Sequence, residues 1–168
     1  GDAVTEREWP HLWLSEGFAT YFAALWAENS RGDTAFRADL GRIRETILGD
    51  TDAVLRRPVI DTVETTLTRL LNRNSYEKGG FVLHMLRSQL GDSAFFRGLR
   101  DYYNKHKHST ALSADLQAAL EKSSGRKLGP LFDQWLRRPG YPELEVSWRA
   151  DSASQSLELG VTQAARFG

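Results

Sequence analysis

The sequence predicts a mainly α-helical domain that ends in a β-hairpin. Apolar residues recur at the spacing of amphipathic helices through most of the first 136 positions. Near the C-terminus the period of the apolar residues changes to two, which is typical of strands. Between these regions, residues 139–142 read PGYP, a sequence that ends helices and forms turns. We therefore expect a helical body followed by one short pair of antiparallel strands.

The first helix is predicted at residues 12–29, just after Pro10, because proline is tolerated at helix starts. Its apolar stripe consists of Leu14, Phe18, Tyr21, Phe22 and Leu25. On another face one glutamate, Glu16, is followed at helical spacing by small residues only, so a second helix or a ligand can come close there. These small residues are Thr20, Ala23 and Ala27.

The second helix is expected to begin in the turn at residues 32–34 and to end at Gly49. Residues 50–62 contain Pro58 and have no clear period, so they are predicted to be irregular. A short helical stretch is plausible at residues 63–71.

The third long helix is predicted from Asn74 to Gly91, and the pair Asn74 and Glu77 resembles a capping box. Later helices are expected to start at caps Asp92 and Ser113, with a last one at residues 128–136.

Two strands are predicted where apolar and polar residues alternate. The apolar positions are Leu144, Val146 and Trp148, and then Leu157, Leu159 and Val161. The polar residues 151–155 form the connecting loop. Since a lone two-stranded hairpin is marginal in water, we interpret it as the opening of a β domain or as a flap packed on the helices.

Composition narrows the possible partners. Lys and Arg number 22, as do Asp and Glu, so the net charge is zero and electrostatic capture of nucleic acid or of an anionic membrane is not expected. No apolar run reaches the length of about 20 residues that spans a bilayer. The absence of cysteine excludes disulfides and cysteine-type zinc sites, and it leaves the compartment open.

Two short strings stand out as candidate chemistry. The first is WLSEGFATY at residues 13–21, although a lone glutamate such as Glu16 at a helix start is ordinarily only a partner of the helix dipole. The second is NSYEKGG at residues 74–80, in which Tyr76 alone would be interpreted as a buried tyrosine with a backbone partner. Its two glycines cost about 1 kcal/mol each relative to alanine inside a helix. That local penalty indicates a site where something must pass close by.

Both strings resemble active-site segments of the M1 family of zinc aminopeptidases, the gluzincin relatives of aminopeptidase N. Residues 13–19 resemble the segment of the third zinc ligand, and residues 76–79 resemble the segment of the catalytic tyrosine. Residues 1–5 resemble the stretch that links this glutamate to an upstream His-Glu-x-x-His helix, which is not in this chain. The resemblance covers nearly the whole chain, and the order and separation of the two strings make it specific.

The resemblance implies a fold, a metal and two residue roles. Residues 1–141 would be the helical C-terminal part of a thermolysin-like catalytic domain, and residues 142–168 the truncated start of a β-sandwich. Glu16 would be a zinc ligand, with two histidine ligands and a water-activating glutamate upstream, and Tyr76 would donate a hydrogen bond to the oxyanion. The parent protein is thus expected to be a zinc aminopeptidase acting on peptides, and this chain alone to be inactive.

Two residues near Glu16 depart from the family pattern: His11 stands where many members carry Asp, and Ser15 where many carry Asn. None of the histidines is expected to supply the missing ligand pair. His11 is expected to be a polar neighbour in the loop, His84 to be packed or half-exposed in its helix, and residues 105–108 to form a solvated loop.

The alternative to an enzyme is a non-catalytic helical interaction module or a degenerate peptidase relative. A pure scaffold has no need of a glutamate beside small residues or of Gly79 and Gly80 after Tyr76, which weighs against that alternative. An additional hydrolase activity, as in the leukotriene-processing relatives of the family, is singled out by nothing in the sequence.

Overall fold

The computed structural model describes residues 3–164 and confirms the predicted fold class. The elements in chain order are β1 (Val4–Glu6), a 3-10 turn (Trp9–His11), α1 (Trp13–Arg31), α2 (Asp33–Gly49), α3 (Ala53–Arg56), α4 (Leu67–Leu70), a π-helical turn (Asn74–Lys78), α5 (Gly79–Leu90), α6 (Asp92–His106), β2 (Ser109–Ala111), α7 (Ser113–Ser124), α8 (Gly129–Leu136), β3 (Leu144–Asp151) and β4 (Ser156–Gln163). Buried side chains from the longer helices form one common core.

Helix α1 packs against α2, the π-helical turn and α5, and it lies within two residues of its predicted bounds. Its buried face consists of Trp13, Leu14, Gly17, Tyr21, Ala24 and Ala27. Phe22, which was assigned to the apolar stripe, is instead 48% exposed. Its ring stacks on that of Phe18, with the ring centroids 5.9 Å apart.

The second helix matches its prediction, since α2 ends at Gly49. The predicted stretch at residues 63–71 is helical only in the four residues of α4. The segment 50–62 is mostly irregular as expected, with the short helix α3 inside it.

The predicted caps of α6 and α7 are wrong. Asp92 does not cap α6, because its carboxylate accepts a hydrogen bond from Arg87 at 2.7 Å. Helix α7 is capped by Asp115, whose carboxylate accepts from the amide of Leu112 at 2.9 Å. The hydroxyl of Ser113 is thereby free to bond residues outside its own helix.

The predicted capping box at Asn74 is also wrong. The amide nitrogen Nδ2 of Asn74 donates to the carbonyls of Ala53 and Arg57, at 2.8 and 2.9 Å. Glu77 accepts a hydrogen bond from Arg73 at 2.5 Å. Tertiary partners on the segment around α3 therefore replace the local cap, and the chain enters α5 through a π-helical turn.

A short parallel pair of strands, β1 and β2, joins the start of the chain to the α6–α7 connection. Helix α6 continues to His106, a residue that is only 8% exposed and whose Nε2 lies 3.7 Å from a carboxylate oxygen of Asp115. The prediction of a solvated loop at residues 105–108 is therefore wrong for His106, although His108 is exposed.

The hairpin β3–β4 has the predicted alternation and pairs Trp148 with Leu159 and Val146 with Val161. These and the other apolar side chains share one face, and those named in the prediction are 57–71% exposed. Every residue of both strands is exposed, so the hairpin does not pack on the helices as a flap. Among the described residues, no helix has the length and apolar character to cross a membrane.

Candidate active site

Glu16 occupies the first turn of α1, where a carboxylate interacts favourably with the positive end of the helix dipole. Its amide donates to the carbonyl of Leu12 at 3.1 Å, and its carbonyl accepts from the hydroxyl of Thr20 at 2.9 Å. The residue is partly exposed. Its backbone is therefore fixed, while its carboxylate can be reached by a ligand.

Tyr76 lies on the π-helical turn before α5, which packs against α1, and its phenol lies near the carboxylate of Glu16. Partial burial raises the pKa of Tyr76, and the negative charge and hydrogen bond of Glu16 raise the pKa further. The phenol is therefore protonated at neutral pH and has a hydrogen to donate. The fold thus brings together two residues that lie 60 positions apart in the sequence.

Glycines allow α1 and α5 to approach closely beside this pair. A Cβ on Gly17 would lie 2.8 Å from the carbonyl carbon of Gly79 and 3.0 Å from the nitrogen of Gly80. A Cβ on Gly80 would lie 3.1 Å from Cγ2 of Thr20. A close approach was expected on the face of Glu16; α5 makes it at Thr20 and most tightly at Gly17, which was not assigned to that face, whereas Ala23 is exposed.

The π-helical turn is also held from the protein interior. Lys78 is 2% exposed, and its ammonium donates to the carbonyl oxygen of Gly140 at 2.8 Å. Burial lowers the pKa of Lys78 to about 8. No sequence pattern indicates this contact, because lysine is usually exposed and its partner is a backbone carbonyl far along the chain.

A second contact ties β1 to the start of α1. The hydroxyl of Ser15 donates to the carboxylate of Glu6, which is 9% exposed. This hydrogen bond holds Ser15, the residue just before Glu16, in place. Sequence reasoning missed Glu6, because the pairing of β1 with β2, and not local periodicity, decides which side of so short a strand is buried.

The ring nitrogen Nδ1 of His11 accepts from the amide and the hydroxyl of Ser113, at 3.2 and 2.7 Å. The hydroxyl of Ser113 in turn accepts from Nε1 of Trp13 at 2.8 Å. Burial lowers the pKa of His11, so the imidazole is neutral near pH 7. His11 is thus a polar neighbour, as expected, and it links the 3-10 turn to α7.

His84 is packed, as predicted, among the rings of Tyr21, Phe36 and Phe81. Burial lowers the pKa of His84, and the positive charge of Arg87 lowers it further. This histidine belongs to the core between α1, α2 and α5 and is separate from the pair of Glu16 and Tyr76.

Within residues 3–164, no three side chains of the types His, Cys, Asp or Glu come together as a metal site. A catalytic zinc needs three protein ligands and an open position, so Glu16 would supply one ligand of such a site. The residue suits that role, because its carboxylate is accessible, its backbone is fixed and a phenol donor stands beside it.

Comparison with known proteins points to one family. The model of the peptidase family M1 domain matches residues 1–135. Glutamyl aminopeptidase of Bos taurus is 33% identical over 151 residues, which are 87% of this chain and 16% of that protein. Aminopeptidase M1-A of Oryza sativa subsp. japonica is 34% identical, over 97% of this chain and 18% of that protein. The chain thus spans less than a fifth of the length of these two relatives.

Solved structures agree. Aminopeptidase A of Legionella pneumophila, in complex with aspartic acid, has the same fold over 98% of this chain and 18% of its own, with a TM-score of 0.81 at 23% identity. An M1 zinc metallopeptidase of Deinococcus radiodurans is 26% identical, with a TM-score of 0.68 over 85% of this chain and 31% of its own. Because the family model matches most of its length, the chain belongs to peptidase family M1.

Proposed function

We propose that this chain is part of a zinc-dependent aminopeptidase, in which Glu16 binds the metal and Tyr76 is a catalytic residue. The observation that carries the proposal is that the π-helical turn holding Tyr76 packs against α1 and brings its phenol near the Glu16 carboxylate. Two residues from distant segments, each matching a family motif, meet at one accessible place. Two histidine ligands and the glutamate that activates the water would come from a segment upstream of Gly1.

The bound zinc would supply a water molecule with a lowered pKa as the nucleophile. The chain's own part is binding and orientation. Glu16 holds a negative charge at the first turn of α1, and Tyr76 offers a protonated hydroxyl next to it. A hydrogen-bond donor in that position stabilises the oxyanion that develops when the peptide carbonyl is attacked.

Cleavage at the amino terminus is proposed from the relatives, which are named aminopeptidases. We also propose that residues 142–168 begin a β-sandwich domain. The apolar face of β3–β4 supports this, because six large apolar side chains lie exposed on one side of the hairpin.

The test is a pair of variants in the full-length polypeptide that contains this chain. Glu16→Gln should lower the zinc content, since it removes a charged ligand. Tyr76→Phe should keep zinc bound and lower kcat by about 10²–10³-fold, the usual cost of one oxyanion donor. Metal analysis and steady-state kinetics on a peptide substrate measure both effects.

Equal loss of zinc in both variants would overturn these roles. The isolated chain of 168 residues should show no peptidase activity and no tight zinc, because one carboxylate is not a zinc site. If the isolated chain bound stoichiometric zinc and lost it on Glu16→Gln, the proposal that the other zinc ligands lie upstream would be contradicted. A full-length protein without zinc or hydrolysis would instead support a non-catalytic helical module.

A further inference from the structure

We propose that Lys78 is a positioning residue for Tyr76: it anchors the π-helical turn from the interior and so holds the Tyr76 hydroxyl against Glu16. This inference rests on the proposed catalytic role of Tyr76. It assigns a function to a side chain that touches neither the metal ligand nor the reacting atoms.

The burial of Lys78 calls for an explanation. The side chain is 2% exposed, and its ammonium donates to the carbonyl of Gly140, which is itself buried. Removing a lysine ammonium from water is costly, and an apolar side chain of the same length would fill this space without that cost. The contact must therefore contribute something that simple packing would not.

What the contact fixes is the π-helical turn Asn74–Lys78. Side chains two residues apart on a helical turn point to opposite sides. Tyr76 projects toward Glu16, and Lys78 projects away from it into the interior, where it meets Gly140. Gly140 is in turn fixed, because its amide donates to the carbonyl of Val54 at 2.6 Å.

The other end of the turn is held by the same part of the protein. The side chain of Asn74 donates to the carbonyls of Ala53 and Arg57. The Asn74 end of the turn is thus bonded to the segment around α3, and the Lys78 end is bonded to Gly140. Gly140 is in turn bonded to Val54 in α3. The turn cannot shift relative to this support without breaking buried hydrogen bonds.

These anchors matter because a π-helical turn is rare and is found frequently at functional sites. Here the amide of Lys78 donates to the carbonyl of Arg73 at 2.9 Å, which is the wider spacing of a π-helix. A change to α-helical spacing would rotate Tyr76 relative to α5. Because Gly79 and Gly80 are pressed against α1, the rotation would have to occur in the turn and would move the Tyr76 hydroxyl away from Glu16.

The test is a double-mutant cycle in the full-length polypeptide, with Lys78→Met, Tyr76→Phe and the double variant. Methionine keeps an unbranched apolar stem that is one atom shorter, and it removes the ammonium donor. If Lys78 acts through Tyr76, Lys78→Met lowers kcat by about 10–100-fold, as small misplacements of catalytic groups do, with KM nearly unchanged. In the Tyr76→Phe background the same substitution should change kcat by less than about twofold, because non-additivity marks residues that act as a unit.

The matched control is Lys122→Met, which removes an exposed lysine on α7 and should leave kcat unchanged in both backgrounds. Lys78→Arg keeps a donor and should retain more turnover than Lys78→Met. If Lys78→Met does not fold, Lys78→Arg is taken through the same cycle. Equal losses of kcat in the two backgrounds would overturn the proposal, because they would show a general structural effect.

A readout that is independent of activity is amide hydrogen exchange of the full-length polypeptide. Lys78→Met should increase exchange in the turn Asn74–Lys78, while α6 and α7 keep the protection of the wild type. Unchanged exchange in the turn would also overturn the proposal. The failure of the proposed function is distinguishable, because in that case Tyr76→Phe alone would leave kcat unaffected.

Discussion

Single polar side chains connect the segments that surround the site. Ser113 joins Trp13 and His11 across 100 or more positions of the chain, and Asn74 joins the π-helical turn to Ala53. Each of these side chains satisfies buried partners that would otherwise lose a hydrogen bond, at a cost of about 1–3 kcal/mol. The geometry around Glu16 and Tyr76 therefore depends on residues with no chemical role of their own.

His84 makes stability depend on pH. Its pKa in the folded chain lies below the ordinary value of 6.5, because burial and Arg87 disfavour the imidazolium. As the pH falls, the unfolded chain therefore protonates His84 at a higher pH than the folded chain does. The stability that neutral His84 contributes is complete above pH 6.5 and is lost as the pH falls below it. Denaturation with urea should give a lower free energy of unfolding at pH 5.5 than at pH 7.5.

His84→Phe should reduce this pH dependence, because phenylalanine fits among the rings of Tyr21, Phe36 and Phe81 and does not titrate. The matched control is His108→Asn, since His108 is exposed and asparagine tolerates its positive φ of 63°. If the free energy of unfolding of both variants kept the wild-type pH dependence, burial of His84 would not be the cause of that dependence.

At the scale of elements, the contact between α1 and α5 decides where the site lies. Gly17→Ala would place a Cβ 2.8 Å from the carbonyl carbon of Gly79, and neither helix backbone can move aside cheaply. We expect a loss of stability of about 1–3 kcal/mol, which is typical of overpacking. Thermal or urea unfolding of the purified chain measures this change.

The control is the same substitution where space is open. No atom lies within 4 Å of a Cβ on Gly41, in the middle of α2. Gly41→Ala should therefore raise stability by about 0.5–1 kcal/mol, because alanine favours the helix. A stabilising effect of Gly17→Ala would contradict the close packing of α1 and α5.

The long helices and the hairpin could be predicted because their signals are local. The period of apolar residues gave α1 and α2 within two residues, and alternation gave β3 and β4. The π-helical turn and the pair β1–β2 could not be predicted, because each depends on partners from distant segments. Asn74 illustrates this, since its amide bonds to carbonyls 17 and 21 positions away.

At the scale of the whole molecule, the hairpin leaves an apolar face exposed. Trp148 and Leu159 are cross-strand partners on this face and are 71% and 62% exposed. A contiguous apolar surface of this kind promotes association, so the isolated chain should self-associate as its concentration rises. The double substitution Trp148→Thr with Leu159→Thr should weaken this association, measured by sedimentation velocity, without changing the unfolding temperature of the helical body.

Val63→Thr is the matched control, because Val63 is 88% exposed but lies apart from the hairpin face. It should leave self-association unchanged. A wild-type chain that stays monomeric at all concentrations would show that this face does not associate in water.

The candidate site could be predicted only in part. Glu16 and Tyr76 were identified because each lies in a short string that resembles a family motif, and the packing of the π-helical turn on α1 brings their segments together. The contacts of Lys78 and Glu6 are visible only in the structure. Both side chains are buried, and they bond to Gly140 and to Ser15, which lie in other segments. Sequence patterns indicate which residues can do chemistry. The contacts that hold those residues in place are seen only in the folded chain.

The most direct test of the central claim is to locate the metal in crystals of the full-length polypeptide by anomalous diffraction at the zinc absorption edge. We expect an anomalous peak about 2.0–2.2 Å from a carboxylate oxygen of Glu16, with the Tyr76 hydroxyl facing the open coordination position. A zinc peak that does not contact Glu16, or no zinc bound near this helix turn, would contradict it.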